Sequence, residues 1–194
     1  LSANALGTGT ITLNRISVLG NFTGGTLTVS NNINVDGNGF EFAGVTGATA
    51  NDHIILNGDV TGFNTGSFNK LGSITVTLNG NNNYNQLFID GGRVVAGNNT
   101  ALGTGQIINT EFGGSAAIEA GADGLVFANN IFSLKALVLD TAAFTLTLNG
   151  NINNNAAWGV TKNGAGTLIL GGTNNFTGGF TVNGGTVVAA SDAA

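Results

Sequence analysis

The chain has 194 residues, 33 of them Gly, with no Pro, Cys or Met and only 8% charged side chains. Ten Asp and Glu against five Lys and Arg leave a net charge of −5, which makes nucleic acid an unsuitable partner. A hydrophobic share of 42% excludes a disordered Gly-rich linker, and the lack of Cys excludes disulfide and thiolate-metal frameworks. Gly, Asn or Thr interrupts every apolar stretch well short of the roughly 20 residues of a membrane span, so no direct span is expected. Residues 1–9 lack a basic segment followed by an apolar one, so an export signal is expected to have been removed or to lie elsewhere.

In chain order, short runs in which aliphatic residues alternate with Thr or Ser predict strands at 10–13, 26–29, 39–42, 53–56, 74–78, 87–89 and 93–95. The same pattern continues at 106–108, 125–127, 136–139, 144–148, 166–170, 179–182 and 186–188. Thr75 and Thr77 set against Ile74, Val76 and Leu78 typify it: one face polar, one face apolar. No segment carries apolar residues three and four apart over a dozen positions, so little or no helix is expected. Single Asn and Gly residues end nearly every run, and both tolerate the left-handed backbone of a sharp corner. Stacked Asn side chains are expected to bond from coil to coil as amide ladders. At about 20 residues per coil the chain predicts a β-solenoid of about nine coils, about 40 Å long.

The sequence also repeats on a longer scale. Ala5-Leu6-Gly7-Thr8-Gly9 returns as Ala101-Leu102-Gly103-Thr104-Gly105, Asn31-Asn32-Ile33 as Asn129-Asn130-Ile131, and Asn57-Gly58 as Asn149-Gly150. Lys70-Leu71-Gly72-Ser73 corresponds to Lys162-Asn163-Gly164-Ala165, and Gly91-Gly92-Arg93-Val94-Val95-Ala96 to Gly184-Gly185-Thr186-Val187-Val188-Ala189. The chain therefore reads as one solenoid domain over 1–194, made of two super-repeats at about 1–100 and 101–194.

Residues 160–188, which run from Val160-Thr161-Lys162-Asn163-Gly164 through Asn174-Asn175-Phe176-Thr177-Gly178-Gly179 to Gly184-Gly185-Thr186-Val187-Val188, resemble the passenger-associated transport repeat of autotransporter passenger domains. A degraded copy spans 70–95, with Tyr84 standing at Phe176 and Phe88 at Phe180, and a third fragment spans 21–29. The resemblance implies a right-handed parallel β-helix, displayed on a Gram-negative cell surface after crossing an outer-membrane barrel unfolded. Such passengers include adhesins, aggregation factors, proteases and esterases, so the repeat implies a route and a stem and leaves the activity open.

Chemistry-bearing residues are sparse. His53, the sole His, lies beside Asp52, but the Gly-x-Ser-x-Gly signature is absent. Ser67 and Ser115 follow Gly and read as corner residues, and Asp36-Gly37-Asn38-Gly39-Phe40 reads as a turn and not as a calcium loop. Asp36, Glu41, Asp52, Asp59, Asp90, Glu111, Glu119, Asp123, Asp140 and Asp192 are never adjacent, and Arg15, Lys70, Arg93, Lys135 and Lys162 are the only cations available to hold an acidic sugar. The sequons at Asn21, Asn98 and Asn175 follow from an Asn-rich and Thr-rich composition. The 12 Phe are expected to stack inside the coils, and Trp158, the sole Trp, is the expected surface contact.

The expected function is a non-catalytic structural or adhesive surface module, with no catalytic residue, cofactor or metal. Expected partners are a host or neighbouring-cell surface, glycans, or further copies of the chain. The alternatives are an extracellular fibre subunit stacking end to end as a homo-oligomer, and a carbohydrate-active β-helix enzyme, which three or more acids on one solvent face would favour. A strand aliphatic such as Leu168 or Ile169 replaced by Asp is expected to bury an unpaired charge.

Overall fold

A computed structural model describes residues 6–14, 17–19, 25–36, 39–43, 51–62, 66–110, 116–154 and 156–191. Among them the chain forms 22 short strands, no helix, and only parallel strand pairs between successive turns. This is a parallel β-solenoid. The longest ladders hold seven and eight strands, giving about seven turns and not nine. The expected 20-residue coil is too short for several turns. Gly39–Ala43 pairs with Ser67–Leu71, 28 residues on, whereas Thr75–Leu78 pairs with Arg93–Ala96 only 18 residues on. Corner loops of unequal length absorb the difference.

Each turn visits three sides. Ile11–Asn14, Ile33–Asp36 and Val60–Thr61 form the first ladder. The seven-stranded second ladder runs from Ser17–Leu19 through Ser67–Leu71, Gln86–Asp90 and Gln106–Asn109 to Ile152–Asn154. The third, of eight strands, runs from Thr26–Val29 through Gly92–Ala96, Ala116–Ala120 and Val160–Asn163 to Phe180–Val182. From Leu125 onward the chain enters a fourth ladder after leaving the third: Leu125–Phe127, Thr145–Leu148, Thr167–Leu170 and Thr186–Ala189. Since the chain always goes from the third ladder to the second by way of this side, the fourth ladder continues the side that the first began.

Between those two ladders the same side is bridged by side chains. The Asn82 Oδ1 accepts from the Val60 N–H at 2.8 Å, while Asn82 Nδ2 and the Tyr84 hydroxyl both donate to the Ala101 carbonyl, at 2.7 and 2.5 Å. Tyr84 is fully buried and stacks on Phe68, ring centroids 4.9 Å apart. This bears out the expected aromatic stacking at that pair.

The core is a column of apolar residues at alternate strand positions, including Ile54, Val76, Val94, Ile118, Leu139 and Leu168. Burying each side chain of this kind stabilises the fold by about 1.5–3 kcal/mol. Alternation decides which residue of a strand reaches the core. In Thr167–Leu170 it is Leu168 and Leu170, so Ile169 faces outward, which corrects its assignment to the core.

All fourteen predicted strands coincide with observed ones, but eight were missed, Ile33–Asp36, Ser67–Leu71, Ala116–Ala120 and Val160–Asn163 among them. These carry Asn, Asp, Lys or Ala, residues of poor strand propensity that the stacked register overrides.

The corners show why Asn and Gly are required. The expected amide-to-amide ladder forms at Asn79 Nδ2 to Asn57 Oδ1, 2.8 Å, and at Asn183 Nδ2 to Asn163 Oδ1, 2.9 Å. More often the side-chain oxygen of one turn accepts a backbone N–H of the next. Asn32 receives Asp59, Asp59 receives Asn81, Asn130 receives Asn151, and Asn151 receives Thr173, at 2.7–3.0 Å. Next to these, Gly58 and Gly150 lie flat against the turn before: a Cβ on Gly150 would stand 2.0 Å from the Asn129 carbonyl oxygen. Gly150→Ala is therefore expected to lower stability by about 2–3 kcal/mol, whereas Gly9→Ala, which meets nothing within 4 Å, is expected to be neutral in the same thermal melt.

Two Asn at corresponding places make the same bonds. Asn31 Nδ2 donates to the carbonyls of Gly7 and Gly9, and Asn129 Nδ2 to those of Gly103 and Gly105. Yet the copies do not lie on the same side: Ile11 begins on the first ladder and Ile107 on the second. Corresponding segments are separated by four turns and one further side.

Candidate functional site

Three places in the described chain bring titratable residues into arrangements that bear on chemistry, while Asp59, Asp90 and Asp123 are dispersed and accept bonds from the next turn. On the outer face of the third ladder, Arg93 Nη1 pairs with Glu119 on the next turn and with Asp140 Oδ2 at 3.1 Å on the turn after. Glu119 and Asp140 are register partners, so two carboxylates stand side by side with one guanidinium between them. That ties up a carboxylate pair which the enzyme alternative would need free.

The second place is His53, whose Nε2 lies 2.8 Å from the Thr77 hydroxyl on the next turn. Burial lowers the pKa of its ring, favouring the neutral form. Asp52, its sequence neighbour, is buried on the opposite side of the strand. A base beside a hydroxyl is the beginning of a nucleophilic pair, but this one sits on a sheet face as a cross-turn bond. No group of three or more His, Asp or Glu able to hold a metal occurs among the described residues. Ser67 is a strand residue, while Ser115, Glu111, Asp192, Arg15 and the Gly37-Asn38 turn lie outside the described residues.

The third place was not legible as a site. Lys70 and Lys162, repeat landmarks and candidate cations for an acidic sugar in the sequence, are instead fully buried inward-facing strand residues. The Lys162 ammonium donates to the Thr141 hydroxyl one turn back, to the Asn163 and Gly164 carbonyls of its own turn, and to Gly184 one turn ahead, at 2.7–3.0 Å. Lys70 does the same with the Gly72 carbonyl and, at 2.7 Å, with Gly91. A cation here closes carbonyls at the corner where the strand ladder ends. Burial pushes the Lys70 ammonium down to about 7, partly opposed by the charge of Asp90, and burial lowers Lys162 as well. The available signal was a Lys followed two residues later by Gly at corresponding places in both super-repeats.

The surrounding residues complete a recognisable unit. Gly164, at φ +84°, turns the chain where a Cβ would meet the Ala142 backbone, and Gly166 lies against the Phe144 carbonyl. Asn174 Oδ1 then accepts the Ile152 N–H at 2.8 Å, Phe176 and Phe180 pack with centroids 5.8 Å apart, and Gly185 turns at φ +67° into the last strand. Residues 160–189 match the family model of the passenger-associated-transport-repeat. The chain carries a transport repeat of autotransporter passengers. Its Lys-x-Gly opening is thus a clamp joining three turns, and its later Asn, Phe and Gly-Gly are a cap, a ring pair and a turn. Comparison with curated proteins and with solved structures returned no significant match.

Trp158 immediately precedes the transport repeat, on the loop between the second and third ladders. Its side chain is exposed, with 41% of the residue's surface accessible, and its carbonyl accepts from Asn154 Nδ2 at 2.7 Å. On the next turn the corresponding corner is Thr177-Gly178-Gly179, with Gly178 against the Trp158 backbone. On that side the turn presents a low glycine corner to the Trp158 loop.

Proposed function

We propose that the chain is a structural and adhesive stem of a protein exported to the outer surface of a Gram-negative cell, without catalytic activity of its own. The observation that carries this reading is the transport repeat at 160–189, continuous in register with the rest of the solenoid through the third and fourth ladders. The dispersal of acids and the pairing of Arg93 and His53 support a non-catalytic role. Adhesion would use extended surface, with Trp158 as a contact for a glycan or protein on a host or neighbouring cell.

The test is surface display. Cells producing the chain joined to an outer-membrane translocator barrel are expected to bind antibody externally and to lose that signal under added protease. Removing residues 160–189 is expected to reduce display sharply. Retention of the unaltered chain inside the cell would overturn the export reading. Trp158→Ala is expected to lower adhesion of displaying cells about tenfold without changing the amount displayed; equal adhesion would remove Trp158 from the contact.

A further inference from the structure

The corners contain an arrangement whose chemistry is independent of any partner. Five described Asn residues precede Gly: Asn57, Asn79, Asn149, Asn163 and Asn183. An Asn–Gly pair is prone to a spontaneous reaction, because a backbone nitrogen next to a residue without a side chain can reach the preceding carboxamide. The Gly nitrogen attacks the Asn Cγ, the new C–N bond closes a five-membered succinimide, and ammonia leaves. Water then opens the ring at one carbonyl to give aspartate or at the other to give isoaspartate. Water is the sole co-reactant, and no electrons change hands.

We propose that Asn149 is the preferred modification site among these corners, converting to aspartate and isoaspartate while the others are held back by the amide ladder. Asn57 and Asn79 bond each other through their carboxamides at 2.8 Å, and Asn163 and Asn183 do so at 2.9 Å. To swing its Cγ onto the following nitrogen, each of these must first give up that bond. Asn149 is exposed, and its side chain makes no hydrogen bond among the described residues. The reason lies one turn ahead, where Gly171 occupies the place that Asn79 occupies above Asn57; a Cβ at Gly171 would stand 2.6 Å from Asn149 Oδ1.

Local sequence does not make the difference. Leu56-Asn57-Gly58, Leu78-Asn79-Gly80 and Leu148-Asn149-Gly150 are the same tripeptide. Gly58 and Gly150 also lie against corresponding carbonyls of the preceding turn, those of Asn31 and Asn129. The three corners differ in the neighbouring side chain, so their relative rates read the ladder itself. Isoaspartate at 149 would add a methylene to the main chain between Thr145–Leu148 and Ile152–Asn154, two strands that must keep register with both neighbours.

The experiment is peptide mapping by mass spectrometry of the folded chain, held at mildly alkaline pH below its melting temperature. Each conversion registers as a gain of about 1 Da. Asn149 is expected to convert about threefold to tenfold faster than Asn57 or Asn79. In denaturant the three Leu-Asn-Gly sites are expected to converge. Gly171 has no left-handed φ, and the nearest obstacle to a side chain there is the tip of Asn149 itself, so Gly171→Asn can supply the absent partner. That variant is expected to slow Asn149 to the rate of Asn57. Asn79→Gly provides the converse, accelerating Asn57, and keeps the test intact if Gly171→Asn does not fold. Equal rates at Asn57 and Asn149 in the folded chain overturn the proposal, as does an Asn149 that stays fastest in denaturant.

Discussion

Leu168→Asp is expected to abolish cooperative melting of the C-terminal turns, while Ile169→Asp leaves the melting temperature nearly unchanged. The two residues are adjacent in one strand, yet Leu168 is fully buried and Ile169 faces outward. Leu168 packs between Leu146 and Val187 in the turns on either side. An aspartate there forfeits the apolar burial and places a carboxylate between aliphatic register partners, a combined cost of about 4–5 kcal/mol or more. In a solenoid that loss spreads, because each turn is held chiefly by its neighbours. Ile169 loses only part of an outward contact, within about 1 kcal/mol. Circular dichroism melts of both variants decide the matter, and an equal effect would contradict the assigned strand parity.

Raising the pH from 7 toward 10 is expected to stabilise the protein, contrary to the usual behaviour of a folded domain. The buried Lys70 ammonium gives up its proton near pH 7 when folded, against 10.5 for an ordinary lysine. Between those values the unfolded chain binds the extra proton, so stability climbs with pH; below about 7 the full cost of burying the charge is present, and above 10.5 the gain is complete. Lys162, shifted in the same direction by burial, adds to the rise. Tyr84 limits it from above: burial raises its phenol, so past pH 10 the unfolded chain ionises first and stability falls. The expected profile has a maximum near pH 10, with a gain on the order of 3 kcal/mol above its value at pH 7. Lys70→Met removes that group's share of the slope. It also orphans the Gly72 and Gly91 carbonyls, so the variant is expected to melt within about 1 kcal/mol of the parent at pH 7 and well below it at pH 10. A parent profile that is flat or falling from pH 7 to 10 refutes the account.

Those lysines also mark the limit of what could be read from the sequence. Alternation such as Thr75-Val76-Thr77-Leu78 announces a one-sided strand, and Asn-Gly corners announce sharp turns, because both are local facts of sterics and burial. Repetition then makes stacking the only economical way to cover the apolar faces. What resisted reading was which distant, unlike side chains the stacking brings together. Val160–Asn163 contains a Lys that looks solvent-bound until a hydroxyl and carbonyls from three successive turns are seen to converge on it. Arg93 and Asp140 stand 47 residues apart, yet register brings them together. The exposure of Trp158 was legible because a lone Trp beside two Ala and a Gly has little local structure to bury it.

The displacement of corresponding segments by four turns and one side has a consequence for any longer rod built of such copies. Its copies would wind as a three-fold screw, each facing about 120° from the last, and only every third would point the same way. At about 4.8 Å per turn that phase returns after roughly 13 turns, about 60 Å. A feature repeated once per copy would thus face three compass directions in rotation. Such a rod has no front or back, and whatever each copy carries is presented to every side in turn.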